Sequence, residues 1–190
     1  RLLMNSGQSV LTIGAFVVLS SLTLNVNTQL TDTGTTGLEM EATLDGISIA
    51  QSALDEILTK DFDQHTTGGV RAYSPDDLTL MSAFGPDGSS QMITGLDSSR
   101  SSVFQSQTKF DDVDDYNGYI RKAWNPRFGW FDVSVSVNYA NEDNPNTLQT
   151  SRSFYKRVSV RVTHPNLVKD KNNIVIPLAV QDLAVYRRYF

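Results

Sequence analysis

The sequence predicts an α+β chain in which a long hydrophobic N-terminal helix, interrupted near residues 31–37, continues into an amphipathic helix packed on a C-terminal antiparallel β-meander. Three observations lead there. No Asp, Glu, Lys or Arg occurs between Arg1 and Asp32, although charged residues make up 19% of the chain. Apolar residues then recur at spacings of three and four across residues 38–62, the period of a one-faced helix. A strict alternation of apolar and polar residues occupies 131–139, the period of a half-buried strand. The chain therefore divides into residues 1–37, a hydrophobic helix with its breaker, and a globular head over 38–190.

In the first element, Val10, Leu11, Ile13, Phe16, Val17, Leu19, Leu22 and Leu24, with Ala15, Val18, Val26 and Leu30, place apolar surface nearly all round a helix. A helix apolar on every side belongs in protein or in lipid. From Ser9 to Leu30 it would be about 33 Å long at ~1.5 Å per residue, close to the ~30 Å of a bilayer core. Thr12, Ser20, Ser21, Thr23, Asn25 and Asn27 dilute it, and such polar groups favour helix neighbours over hydrocarbon. A cleaved signal peptide fits less well, because its apolar run is shorter and ends in a small-residue cleavage pattern.

The stretch TDTGTTG, residues 31–37, carries two glycines among β-branched and short polar residues and predicts a break in the helix. The second helix follows over 38–62, with Leu44, Ile47, Ala50, Leu54, Ile57 and Leu58 on the face meant for a sheet. Residues 63–106 (HTTGG, SPDD, GPDGSS and LDSSRSS among them) predict a long surface connection with a small turn or strand. Phe131, Val133, Val135, Val137 and Tyr139 then mark one strand, and Val158, Val160 and Val162 mark the next, joined through the polar NEDNPNTLQT. The last strand, about 173–187, contains Pro177, which cannot donate to a ladder and predicts a bulge, edge or break there.

Composition removes several function classes. A net charge of −5 and a pI near 4.9 supply no basic field for phosphate backbones, so nucleic acid is not expected as a partner. The chain has no cysteine, so no disulfide, thiolate metal site or cysteine nucleophile exists. His65 and His164 lie in loop-like contexts without metal-ligand spacing or a nucleophile partner, and HTTGGV and FGPDGSS lack the spacing of a phosphate loop. Asp55 and Glu56 are adjacent on a helix and point about 100° apart, which suits a solvated face or a neighbouring subunit's cations rather than an acid–base pair. No enzyme activity is expected.

One cluster has metal-ligand chemistry. Asp111, Asp112, Asp114, Asp115 and Asn117 pack hard oxygen donors into a few residues, and Ca²⁺ takes such ligands in sets of six to eight. The EF-hand spacing is not met, because Tyr116 occupies the fifth position counted from Asp112. A solvated turn that bonds its own backbone is the competing reading. The nearby aromatics Tyr116, Tyr119, Trp124, Phe128, Trp130 and Phe131 suit core under a loop better than a ligand platform.

QSALDEILTKDFDQHTTGG, residues 51–69, and FDDVDDYNGY, residues 110–119, set between a hydrophobic helix and a terminal meander, resemble type IV pilins, and more specifically the minor pilins of mannose-sensitive haemagglutinin type pili. The resemblance implies a pilin-like fold and a structural subunit of a type IV pilus-like extracellular filament. Its partners would be further copies of itself and other pilins, with the inner membrane as host before assembly and Val10, Leu11, Ile13, Phe16, Val17, Leu19, Leu22 and Leu24 in the filament core. It also implies leader processing, for which Gly7 is the candidate, leaving Gln8 first. Family members carry a glutamate five residues into the mature chain, and here that position is Thr12. The alternatives are a secretion pseudopilin, or a membrane-anchored, calcium- or ligand-binding surface module that does not polymerise.

Overall fold

The computed structural model describes residues 10–100 and 103–187 and traces the helix backbone from Ser6, so the candidate processing position Gly7 lies outside the described residues. The first element, α1 (Ser6–Leu58), is one unbroken helix of 53 residues. Contacts divide the chain into two compact units, Arg1–Glu41 and Ala42–Phe190.

In the N-terminal unit the predicted break at 31–37 does not occur. The threonine hydroxyls fold back onto the helix: Thr31 Oγ1 donates to Asn27 O at 2.9 Å, Thr33 Oγ1 to Gln29 O at 2.8 Å, and Thr35 and Thr36 Oγ1 to Asp32 O at 2.9 Å. Satisfied internally, those hydroxyls no longer compete for the backbone. Gly34 and Gly37 then cost about 1 kcal/mol each relative to Ala, which weakens a helix without ending it.

The head begins in the same helix. Ala42, Ala50, Ala53, Leu54 and Ile57 are buried, while Leu44 is 68% exposed and belongs to the opposite face from the one its spacing suggested. The helix ends at Leu58 rather than Phe62. The buried stripe is built mostly from small residues, which lets the sheet come close. A Cβ on Gly46 would stand 2.7 Å from Leu178 Cδ1.

Facing this stripe is a six-stranded, mostly antiparallel sheet. Its strands are β1 (Asp97–Ser99), β2 (Ile120–Asn125), β3 (Gly129–Ala140), β4 (Leu148–Gln149), β5 (Tyr155–Thr163) and β6 (Leu178–Val185). The order is β1-β2-β3-β5-β6 with β4 paired to β3, and β1 runs parallel to β2. The alternation read from sequence sets the central register: Val133 opposes Val162, Val135 opposes Val160 and Val137 opposes Val158. All six valines are buried in one core with Phe131, Ala50, Leu54 and Ile57. Each such side chain contributes about 1.5–3 kcal/mol on leaving water.

Pro177 stands immediately before β6, so the ladder starts where its missing N–H no longer matters. The meander is larger than the expected three strands, since β2 and its hairpin precede it. Gly129, at φ 87, supplies the left-handed residue that starts β3. The connection over 63–106 holds 3-10 turns at Gln64–Gly69, Pro75–Asp77 and Met81–Ala83 together with β1. It is not wholly superficial, because Asp63, Thr66, Leu78, Thr79, Gln91 and Asp97 in it are buried. A short helix α2 (Gln105–Lys109) leads into the acidic loop.

Candidate functional site

Every residue from Val10 to Leu38 is exposed. The candidate core residues are exposed over most of their surface, from 59% at Leu22 to 76% at Leu11. This is the one helix among the described residues that is long and apolar enough to cross a membrane. Its polar dilution is partly cancelled from within, as Thr23 Oγ1 donates to Leu19 O at 2.8 Å and Thr28 Oγ1 to Leu24 O at 2.9 Å. Those hydroxyls need no helix neighbour, so they carry less argument for a bundle than their composition suggested.

A second feature lies in the head, at the loop that precedes β2. Asp112 pairs with Asp61 in a short parallel bridge, closed by Asp61 N–H donating to Asp111 O (3.1 Å) and Val113 N–H to Asp61 O (2.9 Å). Within the loop Asp115 N–H donates to Asp112 Oδ1 at 3.1 Å, and Asp111 N–H donates to Asp115 Oδ2 at 3.0 Å. A 3-10 turn, Asp114–Tyr116, follows. Asp112, Asp114 and Asp115 are buried rather than left in solvent.

The five sequence candidates separate by what each oxygen does. Asn117 Oδ1 accepts Val137 N–H at 3.1 Å, Asp114 Oδ1 takes the Lys156 ammonium at 2.7 Å, and the exposed Asp111 accepts the Gln91 amide at 2.8 Å. Asp112 and Asp115 remain, and Asp87 from the long connection joins them: one carboxylate oxygen of each lies within 4.8 Å of the others. Burial, reinforced by the charge of Asp114, pushes the Asp112 carboxyl well above the usual range. Burial also raises Asp115 to about 7, against the two backbone N–H groups it accepts. The Asp87 carboxyl is raised by burial and then by Asp114 and Asp111. A concentration of like charge in a low-dielectric setting is the common cause.

Two buried ion pairs flank this centre. Lys156, fully buried on the core side of β5, donates to Asp63 Oδ2 and Asp114 Oδ1 at 2.7 Å each and to Phe62 O at 2.8 Å. Burial works against the Asp63 carboxylate, yet the Lys156 charge and the hydrogen bonds from Lys156, Thr79 and His65 hold its pKa below the usual value. On α1, Glu56 Oε2 accepts from Arg121 at 2.6 Å, while Ser106 Oγ and Tyr116 Oη donate to Oε1 at 2.6 and 2.9 Å. There too burial is outweighed by Arg121 and these donors, and the Glu56 pKa is lowered. Glu56 is thus spent inside its own chain rather than on a solvated face, whereas Asp55 is exposed.

Protein-family models, curated proteins and solved structures were compared with the chain, and none matches it.

The aromatic set divides. Tyr116, Tyr119 and Phe131 are buried core, with Phe110 edge-on to both tyrosines at 4.8 and 5.3 Å. Trp124 and Trp130 make an edge contact at 5.0 Å, and the Arg100 guanidinium lies 3.9 Å over Trp124. Both histidines have structural work: His65 Nδ1 meets Asp77 O at 2.8 Å, and the buried His164 stacks on Phe131 and meets Phe128 O at 2.9 Å. Sequence reasoning missed Asp87, Asp63 and Lys156. Asp87 carries no local signal of its partners, while Lys156 shares the two-residue period of Val158, Val160 and Val162 and was legible as an inward position.

Proposed function

We propose that the chain is a structural subunit of a type IV pilus-like filament at the cell surface. Its N-terminal helix is held in the inner membrane before assembly, and afterwards packs among copies of itself and other pilins. The observation that carries this reading is the exposure of Val10, Leu11, Ile13, Phe16, Val17, Leu19, Leu22 and Leu24 round one continuous helix, attached to a head whose own apolar side chains form a core. Apolar surface of that extent requires lipid or protein around it, at ~25 cal/mol per Å² removed from water.

The resemblance of residues 51–69 and 110–119 to minor pilins supports the filament in preference to a plain anchor. Identical subunits related by rotation and translation make contacts that do not close, and such contacts generate helical polymers. Thr12 stands where the family's glutamate would neutralise a neighbour's amino group, so register in this filament rests on packing of the apolar helix. The reading assigns no catalysis.

Replacing Phe16→Asp and Val17→Asp together tests it. A charge near the middle of a spanning helix costs about 2.5–3.5 kcal/mol on insertion scales. Membrane insertion and surface fibres should both be lost, and normal fibres from the double variant would refute the proposal. A membrane-anchored binding module is the rival, favoured by the acidic centre. Negative-stain microscopy of sheared surface material separates the two, since an anchored monomer yields no fibres containing this chain.

A further inference from the structure

The acidic centre contains a buried carboxylate oxygen that the head's own donors leave unmatched. Asp115 is 1% exposed, its Oδ2 accepts the Asp111 and Asp112 N–H groups, and its Oδ1 has no hydrogen-bond partner. Asp112 and Asp87 each bring a carboxylate oxygen within 4.8 Å of an Asp115 oxygen. Gln64 borders the cluster through its side-chain amide, which in one orientation has its oxygen facing only acceptors and its nitrogen facing only donors. Turned over, the same amide would instead donate to Asp87 Oδ2 at 2.9 Å and to Asp112 Oδ2 at 3.2 Å.

Buried carboxylates turned on one another repel, and the repulsion is relieved by protons or by positive charge among them. The adjacent ammonium, Lys156 Nζ, already has Asp63, Asp114 and the Phe62 carbonyl within 2.8 Å. It therefore balances the flank of the cluster rather than its centre.

We propose that Asp87, Asp112 and Asp115 bind a divalent cation of the calcium class. The donors are hard oxygens only, the set Ca²⁺ prefers over thiolate- or imidazole-seeking metals. With Ca²⁺–oxygen distances of about 2.4 Å, ligands on opposite sides of the ion stand about 4.8 Å apart and adjacent ones about 3.4 Å, which spans the observed separation of the three carboxylates. Mg²⁺ demands a stricter octahedron and retains more of its water. The ligands come from two chain segments: the long connection and the loop before β2. Bound there, the ion fastens the 63–106 connection to the sheet in a chain that has no cysteine for a disulfide. The site is independent of whether the chain polymerises.

The test is thermal unfolding of the full chain in detergent micelles, with about 1 mM CaCl₂ against EGTA. Wild type should gain about 5 °C in Tm with calcium. Proteolysis within residues 63–106 should slow in parallel. Asp87→Asn, in a half-buried position outside the core, should abolish both responses, while the exposed Asp55→Asn should keep them. If Asp87→Asn does not fold, calorimetric titration of the wild-type chain with CaCl₂ should show a single saturable site. Equal Tm in calcium and EGTA, an unchanged response in Asp87→Asn or, failing that, no saturable CaCl₂ binding by calorimetry, or the same shift from NaCl at matched ionic strength would each overturn the site.

Discussion

From Val10 to Leu38 every residue of α1 is exposed, whereas from Ala42 onward the same helix hides a stripe of alanines with Leu54 and Ile57 against a sheet. The two regions differ in how polar groups are handled as well as apolar ones. In the N-terminal region threonine hydroxyls bond carbonyls of their own helix three or four residues back. In the head, charged groups reach across the sequence, as in Glu56 with Arg121 and Lys156 with Asp63 and Asp114. The threonines of one region thus bond within their own helix while its apolar side chains lie uncovered. The other has an apolar core of its own and depends on long-range polar pairs. A helix of the first kind is suited to lipid or to other helices, and the head can be damaged without touching it.

The sharpest way to separate the regions is Lys156→Met. It leaves Asp63 and Asp114 buried without their cation, and breaking such a pair from one side costs about 3–5 kcal/mol. Denaturant unfolding followed by tyrosine fluorescence should show a head destabilised by that amount, while the chain still inserts into membranes. Loss of insertion along with the head would break the comparison.

Glu56→Gln should follow, at about 2–4 kcal/mol near neutral pH, since it leaves the buried Arg121 guanidinium without a counter-charge. Its pH dependence has a definite sign. The folded-state pKa of Glu56 is lowered from its ordinary value of 4.5, so the stabilisation is fully present above that value and is lost as pH falls through the folded pKa. Wild type and Glu56→Gln should therefore converge in stability as acid is added below the ordinary value. A gap that stays constant from neutral to strongly acidic pH would contradict the pairing.

Glycines divide along the same line. Gly46→Val forces a side chain toward Leu178 Cδ1, where even a Cβ stands at 2.7 Å, and should cost the head about 1–3 kcal/mol. Gly34→Ala meets nothing within 4 Å and should strengthen the helix by about 1 kcal/mol, read as increased helicity in micelles. Reversal of either sign would show that the two regions are not packed as described.

The sequence made the strands β3 and β5 legible because their alternation is unbroken and each buries one face. The helix was legible in both halves, yet its continuity was not: TDTGTTG carries breaker residues whose hydroxyls, once helical, are satisfied by Asn27, Gln29 and Asp32 carbonyls. Strand β2 escaped because Arg121, Lys122 and Asn125 dilute its pattern, and Arg121 is buried through Glu56, a partner 65 residues away. The acidic centre was half legible. Asp112 and Asp115 sit in a visible cluster, but Asp87 arrives through tertiary folding that no local spacing encodes, and Asp114 is diverted to Lys156.

The central claim is that residues 10–30 meet one another between subunits. Because the chain has no cysteine, Leu11→Cys and Leu24→Cys introduced together give two unique thiols on the exposed helix. After bismaleimide treatment of sheared surface material, the account predicts a ladder of dimers, trimers and larger species of this chain. Monomers alone in the surface fraction, with the chain confined to the membrane, would contradict it.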